Sequence, residues 1–484
     1  MSVDEVAPAG HYVAPGPEHE VLDLLEGLAK EPWGQVSASV YETARVASLA
    51  PWVPGQAERL RFLLCAQRPD GGWGPPGGYA VVPTLSATEA LLTAGPRPAA
   101  ERGLRFLRRL LPAASSIPDT PAADLIVPAL VERINERAGE ALPLPAGIDG
   151  RRLSAVRQYF RSGAEVPEKL LHALEVLGES ARDAAGVRPV GPGAVGASPA
   201  ATAAWLGAPR APAAVTYLGA AARRHGGPVP CATPITVFER AWVLGGLARA
   251  GVPFAAPAGL VASLTADWGP SGTAAGPGLP ADADTTAVVL FALGELGHPA
   301  DPDVLQQYDV GESFCTWPGE DGSSVTTNAH VLDAYGVSGR RDVVDRLARW
   351  LCGQQRDDGS WHDRWHSSPY YATACCVLAL ARFGRGPEVT AAIARAAEWV
   401  AATRRHDGSW GRWGGTAEET AYAVHVLLAP GAGGWPGLGA TERYLAERRH
   451  TDPPLWHDKD LYAPHAIIRA AVLAARRLML RNRN

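Results

Sequence analysis

The sequence predicts an all-α protein made of two helical barrels. Strand signals are nearly absent. One helix–turn–helix signature recurs, with Trp361 and Trp410 standing 49 residues apart. A Gly/Pro-rich break near 226–232 separates two sets of these units. Helix pairs repeated at that spacing bury their apolar faces by stacking on one another.

In chain order, 21–28 is an apolar helical run. A helix over 57–65 leads into the first copy of the signature, Ala66-Gln67-Arg68-Pro69-Asp70-Gly71-Gly72-Trp73-Gly74, and a small-residue helix follows over 84–94. A degenerate unit occupies 122–133. The stretches 233–251 and 285–297 are apolar helices that end in Gly, and 326–335 is similar to them. The helix over 344–352 leads into Gln354-Gln355-Arg356-Asp357-Asp358-Gly359-Ser360-Trp361, then a helix over 368–383. The helix over 391–402 leads into Arg404-Arg405-His406-Asp407-Gly408-Ser409-Trp410-Gly411, then a helix over 416–428. Asp-Gly supplies a tight turn. The Gln at the helix end satisfies orphan backbone groups, and the Trp covers the junction with the next hairpin. The third copy is degenerate, with Arg404 in the Gln position. Loop-rich breaks fall at 112–121, 186–199, 226–234 and 269–280.

Composition bounds the function. The 484 residues suffice for two large domains or about three ordinary ones. At 46% apolar the chain can bury a large core. A formal charge of −5 argues against a general nucleic-acid binder, which carries a basic stripe. The 53 Gly and 42 Pro stay below disordered compositions. Six cysteines show no CxxC spacing, a reduced, cytosolic pattern. Residues 1–16 lack the basic and apolar regions of a signal peptide, and no apolar run reaches the ~18–20 residues of a membrane span. The expectation is a cytoplasmic protein without stable membrane insertion, a monomer or weak homodimer, for which a lipid-like substrate stays open.

The Gln…Asp-Gly-Ser-Trp repeats resemble the QW repeats of class II terpene cyclases and the related triterpene cyclases. Ala281-Asp282-Ala283-Asp284-Thr285-Thr286-Ala287 resembles their DxDD acid motif. Ser39-Val40-Tyr41-Glu42-Thr43-Ala44 is similar to the family's early S-x-Tyr-Asp-Thr-Ala, and Gly226-Gly227-Pro228-Val229-Pro230 with Phe238-Glu239 to its GGVP…FE. The likeness covers nearly the whole chain. It implies a βγ didomain of two α/α barrels with the active site between them. Residues 1–34 would be an N-terminal segment and the first β-domain helix, 35–227 the inserted γ domain, and 228–484 the β domain. The fourth motif position is Thr285 rather than Asp. That DxDTT form resembles drimenyl diphosphate synthases, which implies cyclisation of farnesyl diphosphate to bicyclic drimenyl diphosphate. The alternative is copalyl-type cyclisation of geranylgeranyl diphosphate. A zinc prenyltransferase-like barrel lacks a convincing ligand set, and a non-enzymatic repeat scaffold is the remaining reading. With no DDxxD in the chain, the implied reaction starts by protonation and retains the diphosphate.

Protonating an alkene needs a carboxylic acid that keeps its proton. Asp282 and Asp284, two residues apart, repel each other so that one stays protonated. The plainer alternative is helix capping, for which Asp is well suited. The resemblance makes Asp284 the proton donor, Asp282 its neighbour, and Asn328 the amide that hydrogen-bonds the acid. Thr285 offers a hydroxyl but no charge. Aromatic faces stabilise the ensuing cations, with Trp317, Trp361, Trp365, Tyr371, Tyr370 and Trp242 as candidates. The resemblance assigns Mg²⁺ to the diphosphate, with Asp124 at an acidic position linked to the ion; Arg364, Arg152 and Arg157 are weaker diphosphate candidates. His172 aligns with the His of a terminating His/Asn pair, but Cys231 stands where the Asn would be, so that base is not carried over. An apolar helix face makes His172 read as a satisfied core histidine.

Overall fold

The computed structural model describes residues 17–483 apart from 115, 140, 436 and 448–451. The stretch 1–16, read above as carrying no leader, lies outside the described residues. Helix α1 (Pro17–Lys30) opens the chain. A first set follows: α2 (Val40–Leu49), α3 (Gln56–Cys65), α4 (Val81–Ala94), α5 (Arg97–Ala113), α6 (Ala123–Ala138), α7 (Arg151–Arg161), α8 (Glu168–Leu171), α9 (Pro199–Leu206) and α10 (Pro212–Arg224). The second set is α11 (Thr236–Arg249), α12 (Ala258–Ser263), α13 (Ala283–Glu295), α14 (Val325–Val337), α15 (Arg341–Gly353), α16 (Pro369–Phe383), α17 (Pro387–Ala402), α18 (Ala417–Leu427), α19 (Gly439–Glu447) and α20 (His465–Asn482). Among the described residues the named strands are β1 (Trp456–His457) and β2 (Leu461–Tyr462), an antiparallel hairpin just before α20.

Each set forms an α/α barrel. Helix α1 joins the second one, where Asp23 and Glu20 pair with Arg469 and Arg476 of α20 at 2.8 and 2.7 Å. One apolar cluster running from Val21 to Met479 fills the second barrel. Its inner helices are apolar nearly all round: eleven consecutive residues of α14, Val325 to Tyr335, are buried. Outer helices carry a single stripe. In α15 only Val344, Leu347, Ala348 and Leu351 are buried, the i, i+3, i+4, i+7 pattern of a surface helix.

The repeats are built from one set of bonds. The indole N–H groups of Trp73, Trp361 and Trp410 donate to the carbonyls of Leu63, Leu351 and Val400 at 2.7, 2.8 and 2.6 Å. Their backbone N–H groups donate to the hydroxyls of Thr84, Thr373 and Thr420 on the following inner helix. Gln67 and Gln355 each donate to their own turn and to the next outer helix, at Ala99 and Ala392. Arg404, the degenerate position, donates to Gly437 instead. Trp361, expected as a candidate lining residue, is therefore a fully buried keystone of its repeat, with its polar atom spent on Leu351.

The β1–β2 turn crosses from the second barrel into the first. The Lys459 ammonium donates to Glu42, Glu175 and Ser198 at 2.5, 2.9 and 2.8 Å, all buried. Asp460 accepts from Ser39 Oγ and the Tyr41 backbone at 2.6 and 2.9 Å. Asp458 accepts from His172 Nε2 at 2.8 Å, and His172 Nδ1 sits 2.6 Å from the Gly196 carbonyl. Both ring nitrogens of His172 are engaged, which suits a charged imidazolium. Burial opposes that charge, but Asp458 outweighs it and the pKa is raised.

Candidate active site

The N-terminus of α13 carries the two motif carboxylates. Asp282 is the N-cap, in extended backbone at φ −140° and ψ 157°. Its Oδ1 accepts the Thr285 backbone N–H at 2.6 Å and its Oδ2 accepts the Thr285 hydroxyl at 2.9 Å. Capping and motif thus coexist in one residue. The hydroxyl at 285 donates where a third carboxylate would have repelled. Burial, then the neighbouring Asp284 charge, push Asp282 up to about 7.

Asp284 lies one position inside the helix and faces α14. Its Oδ1 is 2.7 Å from His330 Nδ1. Burial opposes charge on His330, but the Asp284 carboxylate and hydrogen bonds to Asp284 and Cys375 hold its pKa well above the ordinary value. Asn328, expected to bond the acid, does not. Its carboxamide donates to the Phe314 and Ser324 carbonyls at 3.0 and 2.8 Å and accepts the Phe314 N–H at 2.8 Å. Two positions on a helix are about 200° apart, so Asn328 and His330 cannot share a face. Asn328 clamps the loop before α14, and His330 holds Asp284.

Aromatic rings surround this pair. Trp242 approaches His330 edge-on at 5.4 Å, and its indole N–H donates to the Tyr371 hydroxyl at 3.0 Å. Tyr371 contacts Tyr422 and Trp456 at 5.2 and 4.7 Å, and stacks on His366 at 4.6 Å. Phe238 lies 4.3 Å from Trp242. Glu418 at the start of α18 accepts the Trp456 indole N–H at 2.7 Å. Trp456 belongs to the hairpin and was not singled out from the sequence, because its role depends on a chain reversal 46 residues beyond Trp410 of the last repeat. Trp317 and Trp365 meet edge-to-face at 5.2 Å, apart from that cluster.

The remaining expected residues are engaged elsewhere. Arg364 binds Glu320 at 2.8 Å and bridges to Asp119 of the first barrel. Asp124 in the first turn of α6 pairs with Arg152 at 2.6 Å. Arg157 pairs with Glu132 at 2.7 Å. Among the described residues no group of three or more His, Cys, Asp and Glu could hold a metal ion. One carboxylate already paired with an arginine does not fit a resident Mg²⁺ site. A divalent ion that enters on substrate phosphates needs only one or two protein carboxylates.

The arrangement can deliver a proton from a carboxylic acid into aromatic surroundings. Comparison with known proteins agrees with that chemistry. Residues 318–461 match the squalene-hopene cyclase C-terminal domain. The chain is 44% identical over 481 residues to an ent-copalyl diphosphate synthase of Streptomyces sp. (strain KO-3988), covering 93% of this chain and 94% of that protein. It is 42% identical to a labda-7,13-dienyl diphosphate synthase of Streptomyces clavuligerus, covering 97% and 94%. Among solved structures, the ent-copalyl diphosphate synthase from Streptomyces platensis superposes with a TM-score of 0.89 at 43% identity, covering 96% of this chain and 99% of that one.

Proposed function

The chain belongs to the class II diterpene diphosphate cyclases, and from that premise we propose that it cyclises geranylgeranyl diphosphate to a bicyclic copalyl-type diphosphate, with the diphosphate retained. The names of the relatives support this C20 alternative over the drimenyl reading drawn from DxDTT. Thr285 is then no marker of chain length: its hydroxyl donates to the capping carboxylate of Asp282. The observation that carries the reading is the Asp284–His330 hydrogen bond.

We assign the transferable proton to Oδ2 of Asp284, the oxygen that the His330 bond leaves free. That O–H bond breaks as the distal alkene's π pair forms a C–H bond, leaving a tertiary cation. Two internal alkenes attack in turn and close two rings. A C–H bond of the last cation then breaks, its pair becoming the product alkene and its proton passing to water. The His330 N–H stabilises the carboxylate that remains after transfer, which strengthens the acid where it matters, in the transition state. Asp282, near half-neutral at pH 7, adds little opposing charge. Trp242, Tyr371, Trp456 and the Trp317–Trp365 pair are the rings proposed to face the cations. Mg²⁺ is proposed to arrive with the diphosphate rather than to reside in the protein.

The test is product analysis with Mg²⁺ and either farnesyl or geranylgeranyl diphosphate, followed by dephosphorylation and mass spectrometry. The expected outcome is a bicyclic C20 alcohol, reduced by about 10³-fold in Asp284→Asn. EDTA is expected to stop turnover without moving the melting temperature of the ligand-free protein. Turnover of farnesyl diphosphate alone would return the reading to the drimane cyclase.

A further inference from the structure

A cavity of about 600 Å³ lies in the lumen of the second barrel. All six inner helices line it, mostly with apolar side chains such as Val288, Phe291, Leu378 and Ile467. Its deep end is buried at Ala374 and Ala470, and its mouth is marked by exposed Pro430 and Arg382 at the C-terminal ends of α18 and α16. Asp284 does not line it. His330 does, and so stands between the cavity and the acid.

The charges around the mouth cancel. Arg249 pairs with Asp333, and Arg382 with Glu295 at 2.6 Å. Three polar atoms of lining residues are nonetheless buried without a protein partner: Asp333 Oδ1, Arg249 Nη1 and His425 Nε2. Burial pushes His425 down to about 4, so its ring is neutral, and its Nε2 is the buried atom left without a partner. A buried polar atom left unsatisfied is costly, and three around one void describe the complement of a missing group. That group must donate to an acceptor and accept from Arg249. A hydroxyl does both. A diphosphate finds no unpaired cation here. The volume and apolar walls are those of a small-molecule site.

We propose that the lumen of the second barrel is a binding site for a neutral alcohol with a long hydrocarbon body, entered from the end opposite the acid. Trp242, His330 and Tyr371 form its inner end and are the wall it shares with the proposed cyclisation site, so occupancy acts on the acid through that wall: kcat falls while KM stays.

Farnesol is the probe, titrated into the intact protein by calorimetry. Gly246 lies on the wall, and a Cβ added there meets nothing within 4 Å, so Gly246→Leu is the variant chosen to fill the void. One site is expected in the wild type, weakened at least tenfold in Gly246→Leu and in His425→Phe, each checked for folding by circular dichroism. Binding is expected to persist in Asp284→Asn and under excess geranylgeranyl diphosphate, which separates this site from the proposed cyclisation. No binding, binding indifferent to both filling and head-group variants, or displacement by the diphosphate would overturn the proposal.

Discussion

Asp282 illustrates how one residue serves local structure and chemistry together. It caps α13, and its burial beside Asp284 lifts its pKa to about 7. The folded value lies above the unfolded one, so the folded state binds the proton more tightly. Stability from this group is full below about pH 4 and is lost as pH climbs towards 7. Glu42 and Glu239, both raised to about 7, and Asp460, raised to about 6, act in the same direction, each driven first by burial. Denaturant midpoints are therefore expected to be higher at pH 5 than at pH 8. Asp282→Asn, which keeps a capping acceptor, is expected to flatten part of that slope. A slope unchanged in the variant would assign the effect to the other three.

At the scale of the element, the helix–turn–helix unit is a set of interchangeable bonds that the sequence announces. Its Trp is a structural donor in all three copies. Trp410→Phe removes the bond to Val400 and leaves that carbonyl buried, a cost of about 1–3 kcal/mol. Urea unfolding is expected to show the loss, while the product spectrum stays the same; a changed product would place this ring at the substrate after all. The turn chemistry and helix periodicity of the unit were legible because each depends on adjacent residues. Helices such as α5, α7 and α20 were not identified. Nothing in the repeat marks them, and α20 is recognisable only as the last wall of a closed barrel.

For the whole molecule, the decisive feature is the Lys459 turn that joins the barrels. Burial opposes its charge, yet Glu175 and Glu42 hold its pKa well above the ordinary lysine value. Removing one partner of a buried pair leaves the others uncompensated, so Lys459→Met is expected to cost about 3–5 kcal/mol. The double variant with Glu175→Gln should recover part of that loss in the same unfolding assay. Equal stability of Lys459→Met and wild type would show that the turn does not lock the domains. The same hairpin carries Trp456, so its seating also fixes one ring of the aromatic cluster.

The sequence by itself determined the all-α class, the repeat, the place of the acid on a capped helix start and the broad reaction type. The first three rest on periodicity and turn residues written in neighbouring positions, and the reaction type on the motifs' resemblance to class II terpene cyclases. Only the tertiary structure decided that His330 rather than Asn328 meets the acid, that Thr285 serves Asp282, that Trp361 is a keystone, and that Asp458, Lys459 and Asp460 bridge the barrels. Those choices depend on the angle around a helix and on contacts hundreds of residues apart. Burial then sets the charge states, and burial exists only once both barrels have closed.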